Sequence, residues 1–96
     1  MELMFGWSRR KDRINLAKHG IAFSEATSVF SDPLAKIFSD EDHSGEEQRE
    51  IIIGHSQAGR LLLVCFAEQK EGRVRIISAR RATKREQHDY EDNVTT

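Results

Sequence analysis

Arg73, Arg75, Arg80, Arg81, Lys84 and Arg85 fall within thirteen consecutive positions near the C-terminus, with no acid among them. A guanidinium can hold a phosphodiester through two parallel hydrogen bonds and neutralise the charge that builds as phosphorus becomes pentacoordinate. Arg80 stands at the end of an expected strand, just before an expected helix whose first N–H groups and positive dipole end also suit a phosphate. The competing reading is a solvated strand end whose arginines pair with Glu86 and Asp89. Simple alternation would put Val74, Ile76, Ser78 and Arg80 on one face of that strand, and Arg75, Ile77, Ala79 and Arg81 on the other.

Other groups with chemical potential are dispersed. His19, at the end of an expected helix, suits either the negative end of a helix dipole or proton transfer near neutral pH. Glu47 and Arg49, two apart in "EEQRE", would share one face of a strand. There they can act as base and charge stabiliser, or neutralise each other. Tyr90, ten residues after Arg80, can stack on a base or pack on a sheet. His43, His55 and His88 lack metal-ligand spacing and Cys65 has no cysteine partner, so neither a metal nor a cofactor is expected. "LLLVCFA" around Cys65 instead reads as core. No glycine-rich phosphate loop and no "GxSxG" is present.

The elements that must position these groups follow from period and punctuation. "ELMFGW" (2–7) reads as a strand. Ser8 caps a helix over 9–19, with Ile14, Ala17 and Ile21 at helical spacing and Gly20 in a left-handed C-terminal position. A short second helix starts near Ser24, presents Ala26, Val29 and Phe30 on one face, and stops at Asp32-Pro33. Strands are expected over 34–40, 48–55, 60–68 and 73–80, with a polar turn at "EDHSGEE" and hairpin connectors at "SQAG" and "QKEG". Thr83, with Glu86 three residues on, opens a last helix over about 83–92, followed by a frayed tail at 92–96. The order β-α-α-β-β-β-β-α describes an α+β domain, a mostly antiparallel sheet with helices packed on one face and part of the other face open.

Ninety-six residues suffice for one domain, 1–96, and 38% apolar with 32% charged residues is an ordinary folding composition. The longest apolar runs are too short to cross a membrane, so the expected location is the cytoplasm. A net charge of −1 hides a polarised order: residues 1–20 carry a balance of +3, residues 21–50 one of −6, and residues 51–96 one of +2. A basic face beside an acidic one is expected.

Taken together, "FGW", "NLAKHGIAFSEA", "VFSDP", "EQR", "IIIG" and "RIISARRATKRE…Y" resemble the BrnT family of type II toxin–antitoxin toxins, from about Phe5 to Tyr90. The resemblance implies a RelE-like ribonuclease fold, metal-independent RNA cleavage that halts translation, and neutralisation by a ribbon-helix-helix BrnA antitoxin. The hetero-oligomer so formed would bind operator DNA. By the same resemblance, "KHG" contributes Lys18 and His19, "EQR" contributes Glu47 and Arg49, "ISAR" contributes Arg80, and the last helix contributes Lys84 and Tyr90. His19, Glu47, Arg49, Arg80 and Tyr90 are the expected catalytic set, with Lys18, Arg73, Arg81 and Lys84 binding RNA. Trp7 followed by Ser8 departs from the family's usual Trp-Asp. A non-catalytic nucleic-acid-binding module and a protein-interaction domain are the alternatives.

Overall fold

A computed structural model describes residues 3–40 and 47–95, with side chains through Asn93. The expected turn "EDHSGEE" lies outside these residues except for Glu47, and His43 lies outside with it. Along the chain come β1 (Met4–Gly6), α1 (Arg9–His19), α2 (Phe23–Thr27) and a 3-10 turn (Ser28–Ser31). They are followed by β2 (Lys36–Ser39), β3 (Glu50–His55), β4 (Leu61–Glu68), β5 (Arg73–Arg81) and α3 (Lys84–Thr95). The expected order is observed.

The sheet runs β1-β5-β4-β3-β2, antiparallel throughout except for β1, which lies parallel to β5 over Met4–Gly6 and Arg73–Arg75. "SQAG" and "QKEG" make the two hairpins, with Gly59 and Gly72 at positive φ. The core lies on one face. Ile52, Leu62, Val64, Phe66, Val74, Ile76 and Ala79 pack there against Ile21, Phe23, Ala26 and Val29 from the α1–α2 side. Removing such apolar surface from water is the main drive to fold.

α1 begins as expected. The Ser8 hydroxyl accepts from the Lys11 N–H, and Gly20 takes a left-handed φ of 73° while its N–H closes on the Leu16 carbonyl. Its docking is not the expected apolar face, because Ile14 and Leu16 are each about half exposed and Ala17 is exposed. Buried Asn15 docks it instead. Its Nδ2 donates to the Ile21 and Ala79 carbonyls, each at 2.8 Å, and its Oδ1 accepts from the Ala79 N–H at 3.1 Å. β1 ends its pairing at Arg75, so the Asn15 carboxamide supplies the edge of β5 with the partners that a longer β1 would have given.

α2 also departs from expectation. It starts at Phe23 rather than at Ser24, and the Phe23 N–H is taken at 2.8 Å by the Asp12 carboxylate from α1. Val29 and Phe30 fall in the following 3-10 turn. That turn and the residues after it approach β3 closely: a Cβ on Gly54 would lie 2.9 Å from the Ala35 Cβ, 3.0 Å from Asp32 Oδ2 and 3.1 Å from Val29 Cγ1, which explains the glycine in "IIIGH".

β5 carries the correction with most consequence for the site. Ser78 pairs with Cys65 and Ile76 with Phe66, so Ile77 is an extra residue, a β-bulge. Beyond it the faces exchange. Ala79 joins Val74 and Ile76 in the core, and Ser78 and Arg80 join Arg75 on the open face. Simple alternation had separated Arg75 from Arg80.

Candidate functional site

The open face is built from alternate residues of three strands: Ile51 and Ile53 of β3, Leu63 and Cys65 of β4, and Arg75, Ser78 and Arg80 of β5. Each arginine has an acid. Arg80 Nη1 and Nη2 donate to the two Glu86 carboxylate oxygens, both at 2.8 Å, and Nη1 also reaches the Arg81 carbonyl at 3.2 Å. Glu86 in turn accepts from the Thr83 N–H at 2.8 Å, while its own N–H donates to the Thr83 hydroxyl at 3.1 Å, a reciprocal cap that opens α3. The Arg80 hydrogen bonds, helped by the Thr83 N–H and working against burial, pull the Glu86 carboxyl down to about 2. The ion pair foreseen at the strand end is therefore present, with Glu86 as its acid.

Arg75 pairs with Glu47. Glu47 and Arg49 were expected on one strand face, but β3 begins only at Glu50, so strand alternation does not govern them. Glu47 reaches across to β5. Arg49 lies near Cys65, whose Sγ is 3.7 Å from Asp40 Oδ2. Burial, then Asp40, pushes the Cys65 thiol up, consistent with a core cysteine that stays protonated.

Lys18 and His19 arrive from the other side of the edge of β5. They share a depression of about 190 Å³ with Lys11, Ile14, Ile77 and Ser78. Since β1 stops at Arg75, nothing in the sheet separates this depression from Ser78. Ser78, between Arg75 and Arg80 in the strand, thus lines the depression that the end of α1 also lines.

Of the two roles open to Tyr90, stacking on a base or packing, the structure shows packing. Tyr90 is 5% exposed, its hydroxyl donates to Asp32 Oδ2 at 3.2 Å, and its ring meets His55 edge-on at 5.6 Å. Burial pushes the Tyr90 hydroxyl up, with Asp32 adding to it. Burial also pushes Asp32 up, but the His55 and Leu34 N–H groups and the Tyr90 hydroxyl outweigh it and hold the carboxyl below its ordinary value. Asp32 thus ties the β2 approach, the end of β3 and α3 together.

The remaining expected residues separate. Arg81 pairs opposite Leu62 and so points to the helix-covered side, where its charge acts on Glu25, itself bound to Arg60 and the Ser56 hydroxyl. Arg73 sits at the β1 end of the strand, beside Met4 and Gln69. Lys84 is exposed in the first turn of α3. Arg75 and Glu86 lie among these residues although neither is in the expected set; the Thr83–Glu86 spacing is a legible sign of the second, whereas the first depends on the bulge. Among the described residues no three His, Cys, Asp or Glu side chains converge in the manner of a metal site.

The family described as "Ribonuclease toxin, BrnT, of type II toxin-antitoxin system" matches residues 7–86. Among solved structures, the 1.1 Å crystal structure of the Brucella abortus ribonuclease toxin BrnT is similar at a TM-score of 0.66 and 25% identity. The likeness covers 86% of this chain and 100% of that one. No curated protein sequence matches.

Proposed function

Because the chain belongs to the BrnT family of ribonuclease toxins of type II toxin–antitoxin systems, we propose that it cuts RNA without a metal ion and so halts translation in the cytoplasm. The observation that carries this reading is the bulge at Ile77, which sets Arg75 and Arg80 on one face with Ser78 between them and the Lys18–His19 end of α1 alongside. A scissile phosphate over Ser78 would meet positive charge from both sides.

In the reaction, a ribose 2′-oxygen forms a bond to the adjacent phosphorus while the bond from phosphorus to the 5′-oxygen breaks. The 2′-hydroxyl proton must leave, and the departing 5′-oxygen must gain one. Glu47 takes the first proton: a phosphate drawing Arg75 away frees its carboxylate. His19 supplies the second. Arg80 binds the equatorial oxygens as their charge grows, Arg49 adds positive charge, and Tyr90 acts through packing that holds α3 in place. Lys18, Arg73 and Lys84 contact flanking phosphates, while Arg81 faces the other side. A ribbon-helix-helix antitoxin of the BrnA type would silence the enzyme by laying carboxylates on Arg75 and Arg80, and the hetero-oligomer would bind operator DNA.

The test is cleavage of a short RNA by the purified chain in EDTA, with analysis of the new ends. The mechanism expects 2′,3′-cyclic phosphate and 5′-hydroxyl ends, and no cut where a 2′-deoxyribose replaces the attacking sugar. Activity lost in EDTA and regained with magnesium would overturn it. The Arg80–Glu86 pair favours a second reading, a non-catalytic docking surface, and failure to cut either free or ribosome-bound RNA would select that one.

A further inference from the structure

Beside Arg80 the open face deepens into a groove of about 430 Å³ whose body, beyond Arg80, takes no part in the proposed cleavage chemistry. Ile51, Ile53 and Leu63 form its floor, and α3 forms its far wall. Phe38, 47% exposed on edge strand β2, stands on the near side. This volume is in the range of sites for small organic ligands, roughly 300–1,000 Å³.

The rim is polar in a particular way. Asp89 and Asn93, one helical turn apart on α3, both line the groove. Asn93 Nδ2 donates to the Asp89 carbonyl at 2.8 Å, which leaves its Oδ1 to accept. Among the described residues the Asp89 carboxylate has neither a hydrogen bond nor an ion pair. Opposite lies exposed Lys36, and at the end is Arg80 with its charge already matched by Glu86.

We propose that this groove holds a nucleobase of the RNA strand, guanine by preference, and so selects where the chain is cut. The inference rests on Arg80 as a phosphate ligand and extends that reading to the neighbouring nucleotide. A phosphate suits the rim at Arg80 and Lys36 but not the body of the groove, where the floor is isoleucine and leucine and Asp89 stands on the α3 wall. A base fits both features, because its faces are apolar and its edge is polar. Guanine alone among the four presents two adjacent donors, N1–H and N2–H, which one carboxylate can accept together. Adenine, cytosine and uracil lack that pair.

Calorimetric or NMR titration of the purified full chain with 5′-GMP, 5′-AMP, 5′-CMP, 5′-UMP and ribose 5-phosphate tests the assignment. GMP is expected to bind about tenfold or more tightly than the others, the scale of one bidentate base contact. Asp89→Asn should remove that preference and leave ribose 5-phosphate unaffected; Phe38→Ala should weaken the nucleotides but not the sugar phosphate; Arg80→Ala should weaken all five. Equal binding of all five probes by the wild-type chain would reduce the site to a phosphate contact and overturn the proposal. No binding of any nucleotide would overturn it in favour of a protein side chain as occupant. Guanine-selective binding by a preparation that cuts no RNA would support the base site while removing the nuclease reading of its neighbours.

Discussion

Glu86 takes the Nη1–Nη2 end of the Arg80 guanidinium, which leaves Nε and the outer hydrogen of Nη2 for another acceptor. The acid therefore aims the arginine and, in the proposed role, would compete with a phosphate for it. If Arg80 acts chiefly on the transition state, Arg80→Ala should slow single-turnover cleavage at saturating enzyme about a hundredfold or more with little loss of RNA affinity. Arg73→Ala should mainly raise the enzyme concentration needed. Near-wild-type cleavage by a folded Arg80→Ala chain would move the site toward Glu47, Arg49 and His19. Stability gives a second readout. The Glu86 carboxyl is depressed from its ordinary 4.5 to about 2, so its contribution is complete above about 4.5 and is lost as pH falls through about 2. Discounted for the 39% exposure of the Arg80 side chain, Glu86→Gln should cost on the order of 1–2 kcal/mol at pH 7. Denaturant titrations of the two proteins should converge as pH is lowered across that window.

At the scale of elements, two devices substitute for regular structure along β5. One is the bulge, which lets a single strand give Val74, Ile76 and Ala79 to the core and Arg75, Ser78 and Arg80 to the open face. The other is Asn15, whose carboxamide replaces a missing strand partner at Ala79. Asn15→Ala would leave the Ala79 N–H and two buried carbonyls without their partners, and should destabilise the chain by about 2–4 kcal/mol, more than a surface helix substitution. Thermal unfolding measures this directly; a change below about 0.5 kcal/mol would show that α1 is held by something else. Leaving α1 misplaced should also slow cleavage in the surviving folded fraction, since Lys18 and His19 ride at its end.

Across the whole molecule, ion pairs connect the blocks of charge along the chain. Glu25 from the acidic stretch holds Arg60, and Glu47 holds Arg75. Among the described residues, the cations the proposed site uses are a local set around the bulge and the ends of α1 and α3. RNA affinity should accordingly fall only shallowly with salt, as expected for a small number of neutralised phosphates, which filter binding from 50 to 300 mM salt would measure. A slope corresponding to about eight or more released counterions would mean a much wider basic surface. The same locality shapes inhibition. Co-expression of the cognate antitoxin should restore growth, and hydrogen exchange in the complex should show protection at Arg75–Arg80; protection confined to the α2 side, with RNA still cut, would exclude direct blocking.

Much of this architecture was legible in one dimension because it depends on neighbours in sequence. Ser8, Gly20 and the Thr83–Glu86 cap act over three or four residues, and the two hairpins announce themselves by a glycine between apolar runs, so helices and strands appear in their expected order. The family likeness likewise sits in the order of short motifs. What needed the folded chain was every relation between distant residues. The pairing of Ser78 with Cys65 and of Ile76 with Phe66, which creates the bulge, depends on the register of β4. Glu47 on Arg75, Asp32 under Tyr90, and Asn15 at the edge of β5 join segments 28, 58 and 64 residues apart. Alternation and helical period report only which side of its own element a residue faces. Which arginines share a surface was decided by one extra residue in a strand, because the side-chain period of two turns a single insertion into an exchange of faces.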